Sequence, residues 1–161
     1  MTNLNRPHFD DIREGKGFES RRARLGTQAG AELLGMSLWE VPPGIAAYPY
    51  HWHIIEEELV IVLEGRPSLR GPDGWRELEP GEVVSLPVGE EGAHQLWNRT
   101  DETVRFLSFS SATNGPEICF YPDSGKVGVF AEGLYELYRR ADAVGYWEGE
   151  EPPTDAGSSS A

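Results

Sequence analysis

The apolar positions change their spacing along the chain, and that change divides it into parts. From about residue 31 to 122 they come in short runs separated by Gly, Pro and Asp turns. Glu32 to Val41 alternates, with Leu34, Met36 and Leu38 on one face, and stops at Pro42-Pro43-Gly44. Glu57 to Leu63 follows and is closed by Gly65. Pro67 to Arg70 and Trp75 to Leu78 flank Gly71-Pro72-Asp73-Gly74, a strong hairpin signal. Val83 to Leu86, His94 to Asn98 and Val104 to Ser110 read as further strands. Many short strands with frequent turns predict an all-β antiparallel sandwich or barrel, not a parallel sheet with crossover helices.

The ends differ from the middle. In residues 131–144 the positions Leu134, Tyr135, Tyr138 and Ala141 form an apolar stripe at helical spacing. The stripe predicts a short C-terminal helix packed on the barrel or on a partner chain. Residues 1–30 are polar and mixed, and read as an N-terminal arm with little structure of its own. Residues 31–146 make one barrel domain with its helix, and no internal repeat points to a second barrel. Residues 147–161 are acidic, then Ser-rich, and read as a disordered tail.

Composition excludes more than it assigns. The 161 residues suit one domain with a real core. With 27 acidic against 14 basic residues, the formal net charge is -13. That balance argues against nucleic acid, which demands a basic surface. No apolar run approaches the roughly 20 residues of a membrane span, and the N-terminus shows no signal peptide, so the expected location is cytoplasmic. Cys119, the single cysteine, lies in the apolar run Glu-Ile-Cys-Phe-Tyr and reads as core.

The chemistry concentrates around Tyr50 to Gly65, where His51, His53 and three glutamates run directly into Leu59-Val-Ile-Val-Leu63. Such a run expects burial, and buried charge is costly unless compensated. Side chains alternate along a strand, so His51 and His53 share a face while Trp52 takes the other. Glu57 and Glu58 must point apart for the same reason. His94 opens a later strand. Single histidines are usually ordinary polar strand residues, but three with a carboxylate make a sound donor set for a borderline transition metal. A metal would also make the buried carboxylate acceptable.

These residues resemble the two motifs of the cupin superfamily. The first motif runs Gly, five residues, His-x-His, three or four residues, Glu, six residues, Gly. In this chain it reads from Gly44 through His51 and His53 to Glu58 and Gly65, with six residues before the first His instead of five. Glu58 satisfies both spacings, whereas Glu57 satisfies one and Glu56 neither. The second motif runs Gly, five residues, Pro-x-Gly, two residues, His, three residues, Asn. It matches Gly81 to Gly89 and His94 to Asn98, with four residues between Gly89 and His94 instead of two. That insertion falls in a loop before the His94 strand and bears on access to the pocket.

The resemblance implies an antiparallel double-sheet jelly-roll barrel of the small single-domain bacterial kind, commonly a homodimer. It implies a divalent transition metal (Zn, Ni, Fe or Mn) held by His51, His53, Glu58 and His94, and a small-molecule ligand. It does not assign catalytic residues. Cupin barrels serve dioxygenases, isomerases, decarboxylases and binders alike, so the fold cannot select among them. The leading expectation is a metal-dependent enzyme of dioxygenase or isomerase type on a small organic substrate. The alternative is a non-enzymatic barrel that binds or senses a small molecule or saccharide.

Overall fold

The computed structural model describes residues 2–111 and 116–151. Its elements are strands β1 (Asp11–Gly15) and β2 (Phe18–Ala23), helix α1 (Leu25–Ala29), then β3 (Gly35–Val41), β4 (Trp52–His53) and β5 (Glu58–Glu64). A hairpin of β6 (Ser68–Gly71) and β7 (Gly74–Glu77) precedes β8 (Val83–Leu86), β9 (Gln95–Trp97) and β10 (Val104–Ser110). The last three strands are β11 (Glu117–Tyr121), β12 (Lys126–Ala131) and β13 (Leu134–Arg139). The fold is the expected all-β antiparallel jelly roll.

Three sheets build it, ordered β1-β2-β3-β10-β5-β8, β13-β12-β11-β4 and β7-β6-β9. Among the described residues they do not close into one continuous barrel. Isolated bridges stitch them instead, including Phe18 to Ala46, Ala46 to Trp97 and His51 to His94. The hairpin at Gly71-Pro72-Asp73-Gly74 forms as its turn residues predict, with Gly71 opposite Gly74. Gly65 needs its missing side chain: its φ is 76°, and a Cβ would lie 2.7 Å from Val104 Cγ1.

The long apolar run of β5 is explained by cover on both faces. Val60 and Val62 point inward to a core with Trp39, Val41, Val84, Leu96, Val104 and Phe106. Ile61 and Leu63 point outward, under a second cluster built on Leu38, Leu107, Leu25, Leu4 and Phe9. A sheet covered twice loses the polar alternation of a half-exposed strand. Glu58 has the parity of Val60 and Val62 and therefore faces in, while Glu57 is exposed.

Two expectations require correction. Residues 1–30 are not a bare arm: β1 and β2 extend the six-stranded sheet, and α1 packs on β3. Four of five residues of β1 are exposed, so no apolar alternation announced it. The stripe over 131–144 is not a helix but strand β13, turning at Glu132-Gly133, followed by one 3-10 turn over Arg140–Asp142. Register with β12 sets Tyr135 opposite Phe130, with their rings 4.7 Å apart, and this cross-strand pairing overrides the local spacing. The only α-helical turn pair among the described residues is α1, near the other end. The tail expected from residue 147 lies mostly outside the described residues.

Candidate metal centre

The strand pattern brings together the four residues singled out by the motifs. His51 sits in a bridge to His94, with His94 N–H donating to His51 O at 2.8 Å and His51 N–H to His94 O at 3.1 Å. His53 lies on β4, and Glu58 is the first residue of β5. One donor atom from each of His51, His53, Glu58 and His94 lies within 4.8 Å of the others, a group that could hold a metal ion. The rings of His51 and His53 are 4.9 Å apart and those of His51 and His94 4.6 Å.

Backbone carbonyls fix the tautomers. His51 Nδ1 lies 2.9 Å from Pro49 O, and His94 Nδ1 lies 2.9 Å from Gly92 O. A carbonyl only accepts, so each Nδ1 carries the proton and each neutral ring keeps a bare Nε2 lone pair. His94 Nε2 then faces Glu58 Oε2 at 3.1 Å, lone pair to carboxylate. His53 Nε2 is 3.4 Å from the same oxygen and is buried without a hydrogen-bond partner. Only a proton or a cation between them makes this arrangement favourable. The donor set fits a divalent metal of the Zn, Ni, Fe or Mn kind.

The lengthened loop before His94, four residues where the motif has two, leaves the site intact. Glu90–Gly92 forms a 3-10 turn whose Gly92 supplies the carbonyl that orients His94. Only glycine fits there, because a Cβ would lie 1.7 Å from Pro87 O.

A second layer of residues, not foreseen from the sequence, supports His53. Cys119 is its register partner on β11, and Cys119 Sγ lies 3.2 Å from His53 Nδ1. Glu117, buried two residues away, lies 3.6 Å from the same nitrogen. Its carboxylate accepts backbone N–H groups from Ile54 at 3.0 Å, Ile55 at 3.4 Å and Glu56 at 2.9 Å. Glu-Ile-Cys alternation places Glu117 and Cys119 on one face, but nothing in the sequence says that this strand pairs with β4. Tyr48, which the sequence left between pocket and packing, does both: it packs edge-on to His51 and His94 at 5.1 and 5.6 Å. Asn98 is structural, its amide donating to Val41 O and Glu102 O. Trp52 turns away and stacks on Phe120.

The cluster opens on a cavity of about 160 Å³, whose wall also includes Arg13, Arg22, Ser37, Glu56 and Tyr121. Arg13 and Arg22 come from β1 and β2, the segment expected to be an unstructured arm.

Charge in the cluster is redistributed by burial and contact. Burial, reinforced by His94 and His53, pushes His51 down to about 3. Burial opposes charge on His53 as well, but the Cys119 contact and the facing Glu58 carboxylate outweigh it and hold that ring up at about 11. Burial raises Glu58, yet the close imidazoles of His53 and His94 keep it well below the usual carboxylate range. The signs follow by linkage. The unfolded chain takes a proton at His51 below 6.5 that the folded site refuses until about 3, so stability falls as pH drops through that window. Glu58 adds to the loss below its ordinary value of 4.5. His53 contributes stability fully below 6.5 and loses it as pH rises toward 11. Chelator-treated protein should therefore melt highest near neutral pH and lower at about pH 4 and about pH 9. His51→Gln should flatten the acid side. A melting temperature constant from about pH 4 to about pH 7 contradicts this charge distribution.

Comparison with known proteins agrees with this architecture. The cupin domain family model matches residues 37–110. A solved structure from Acidithiobacillus ferrooxidans, provisionally named a sugar phosphate isomerase, is 28% identical with a TM-score of 0.73, covering 80% of this chain and 81% of that one. A sugar phosphate isomerase of the cupin superfamily from Silicibacter pomeroyi shares the fold at 24% identity and a TM-score of 0.79, covering 89% and 94%. The polyketide cyclase RemF from Streptomyces resistomycificus is 30% identical with a TM-score of 0.53, covering 67% and 79%. No curated protein matches the sequence. The chain belongs to the cupin superfamily, as a small cupin.

Proposed function

We propose that this cupin is a metal-dependent enzyme acting on a small organic substrate, with one divalent metal held by His51, His53, Glu58 and His94. The observation that carries the reading is the convergence of three imidazoles on the Glu58 carboxylate, one oxygen of which lies 3.1 Å from His94 Nε2 and 3.4 Å from His53 Nε2. Of the two chemistries considered, isomerisation is favoured over dioxygenation by likeness to the Acidithiobacillus protein. A bound divalent metal supplies Lewis-acid polarisation of a substrate oxygen.

The chain's own residues do the rest. Tyr48 and Trp39 line the cavity and belong to the buried core behind it, and so exclude water from that end. Glu56 is the one carboxylate lining the cavity that is not in the four-residue cluster. It takes a proton from one substrate carbon and returns it to the neighbouring one, the transfer an aldose–ketose interconversion needs. The test is to supply metal-loaded protein with phosphorylated and free aldoses and follow ketose formation. Turnover lost in Glu56→Gln, with metal retained, supports the reading. Ligand binding without turnover, with or without dioxygen, reassigns the protein to the non-enzymatic binders.

The homodimer belongs to the same proposal. Strand β13 is an open edge of its sheet, and Leu134, Tyr135, Leu137 and Tyr138 are 37 to 70% exposed. An apolar edge strand invites pairing, and a second copy related by a two-fold axis satisfies both edges at once. Light scattering should give twice the 17.9 kDa chain mass. Leu137→Lys should give the monomer, and a monomeric wild type sinks the idea. Free Cys119 is compatible with the reducing cytoplasm, the compartment this reading assigns.

A further inference from the structure

The cavity beside the four-residue cluster contains an arginine that, among the described residues, makes no direct ion pair. Arg22 projects from β2 into the same cavity wall as His51, His53 and Glu58. Its Nε donates to Ser37 Oγ at 2.9 Å, and its guanidinium lies 4.8 Å over the Trp39 ring. Ser37 is itself buried and Trp39 belongs to the core, so the head group is held from behind. Among the described residues no carboxylate forms an ion pair with Arg22, and its two terminal nitrogens have no hydrogen-bond partner. Its neighbours contrast with it: Arg21 pairs with Glu40, Arg24 with Asp10, and Arg13 with Asp11. Burial and the nearby Arg13 both weaken the hold of Arg22 on its proton.

A half-buried guanidinium left unpaired is unfavourable on its own. Its planar fork matches the two oxygens of a carboxylate or phosphate, and a charge-assisted pair would offset the desolvation. The surroundings suit an acidic group. Ser110 lines the same cavity, and the corner beside it stays open because residue 35 is glycine: a Cβ there would lie 2.1 Å from Ser110 Oγ. Arg13 adds a second guanidinium to the wall.

We propose that the ligand of this cavity is an anion, and that Arg22, assisted by Arg13, holds its phosphate or carboxylate group beside the metal cluster. This rests on the reading of the cavity as the reaction site. It goes further by naming the substrate class and the residue that selects it. Arg22 is a specificity residue with no part in holding the metal.

Titration calorimetry on the full chain tests this, in metal-loaded and chelator-stripped form. The probes are a hexose 6-phosphate, the same hexose without phosphate, inorganic phosphate and citrate. At least one anion should bind, the free hexose should not, and affinity should fall with salt. Phosphate-type against carboxylate probes decide which acid the fork prefers. Arg22→Gln should cut anion affinity roughly 10- to 100-fold, the worth of hydrogen bonds to a charged group. Arg22→Lys should restore only part of it, because a point charge cannot make the two parallel bonds. Arg13→Gln should lose less, and metal content should be unchanged in all three. Ser37→Ala, which frees the guanidinium without removing it, covers the case in which Arg22→Gln unfolds and should weaken binding by a smaller factor. Wild-type affinity in Arg22→Gln, or equal binding of free and phosphorylated hexose, overturns the proposal. Arg22-dependent anion binding in protein that takes no metal would leave this inference standing and remove the metal reading. Anion binding abolished by His51→Ala but untouched by Arg22→Gln would do the reverse.

Discussion

Glu58→Gln should abolish metal retention and also lower the melting temperature of the metal-free fold near neutral pH. The carboxylate lies 3.1 Å from His94 Nε2 and 3.4 Å from His53 Nε2. Losing it removes the one anionic donor of the set, and affinity should drop by well over the roughly 100-fold that loss of an outer-shell partner can cost. Without metal the carboxylate still stabilises the fold, because it faces the charged His53 ring at 3.4 Å. His94 Nδ1 is committed to Gly92 O, so Nε2 faces the carboxylate with a bare lone pair. An amide at position 58 can donate there, but that hydrogen bond offsets only part of the loss of the charge facing His53. Thermal melts of chelator-treated wild type and variant, with competition titration for the metal, check both halves. A variant that keeps the metal contradicts the ligand assignment, and one that melts as high as the stripped wild type near neutral pH contradicts the charge distribution at His53 and Glu58.

The largest effect outside the four ligands is expected at Glu117. This carboxylate accepts N–H groups from three consecutive residues, Ile54, Ile55 and Glu56, and so fixes the turn that joins His53 to Glu58. Glu117→Ala leaves those donors unmatched. At about 1–3 kcal/mol for each donor stranded away from water, with the long bond to Ile55 adding little, the loss should total about 2–6 kcal/mol. For a chain of this size that is a fall of roughly 5–15 °C in Tm. The same change frees His53, which should lower metal affinity roughly 10- to 100-fold as outer-shell losses do. Glu117→Gln, which keeps one acceptor oxygen, should lie between. An unchanged Tm in Glu117→Ala would mean that the turn holds itself.

What the sequence displayed, and what it concealed, divides along the reach of the interactions. Strand β5 was legible because its inward parity puts Glu58 with Val60 and Val62, and its unbroken apolar run follows from cover on both faces. The hairpin at Gly71-Gly74 was legible because its turn residues act locally. Alternation set Glu57 and Glu58 on opposite faces, the spacing of the cupin motif chose Glu58, and the structure puts Glu57 in solvent. By contrast, Leu134, Tyr135 and Tyr138 satisfy helical spacing, and only pairing with β12 makes them a strand. Strand β1 is nearly all exposed, so the N-terminal hairpin carried no apolar signature. Arg13 and Arg22 were hidden for that reason, although they complete the cavity wall. Glu117 and Cys119 lie far along the chain from His53, and it is the β4–β11 register that brings Cys119 opposite it. Patterns within a strand could be read, whereas which strand lies beside which could not.

The central claim is that His51, His53, Glu58 and His94 hold a metal, and elemental analysis of the purified protein tests it most directly. Protein prepared without chelator should carry about one divalent transition metal per chain, lost in Glu58→Gln and in His94→Ala. Protein that folds, carries no such metal and takes none up on reconstitution would contradict it.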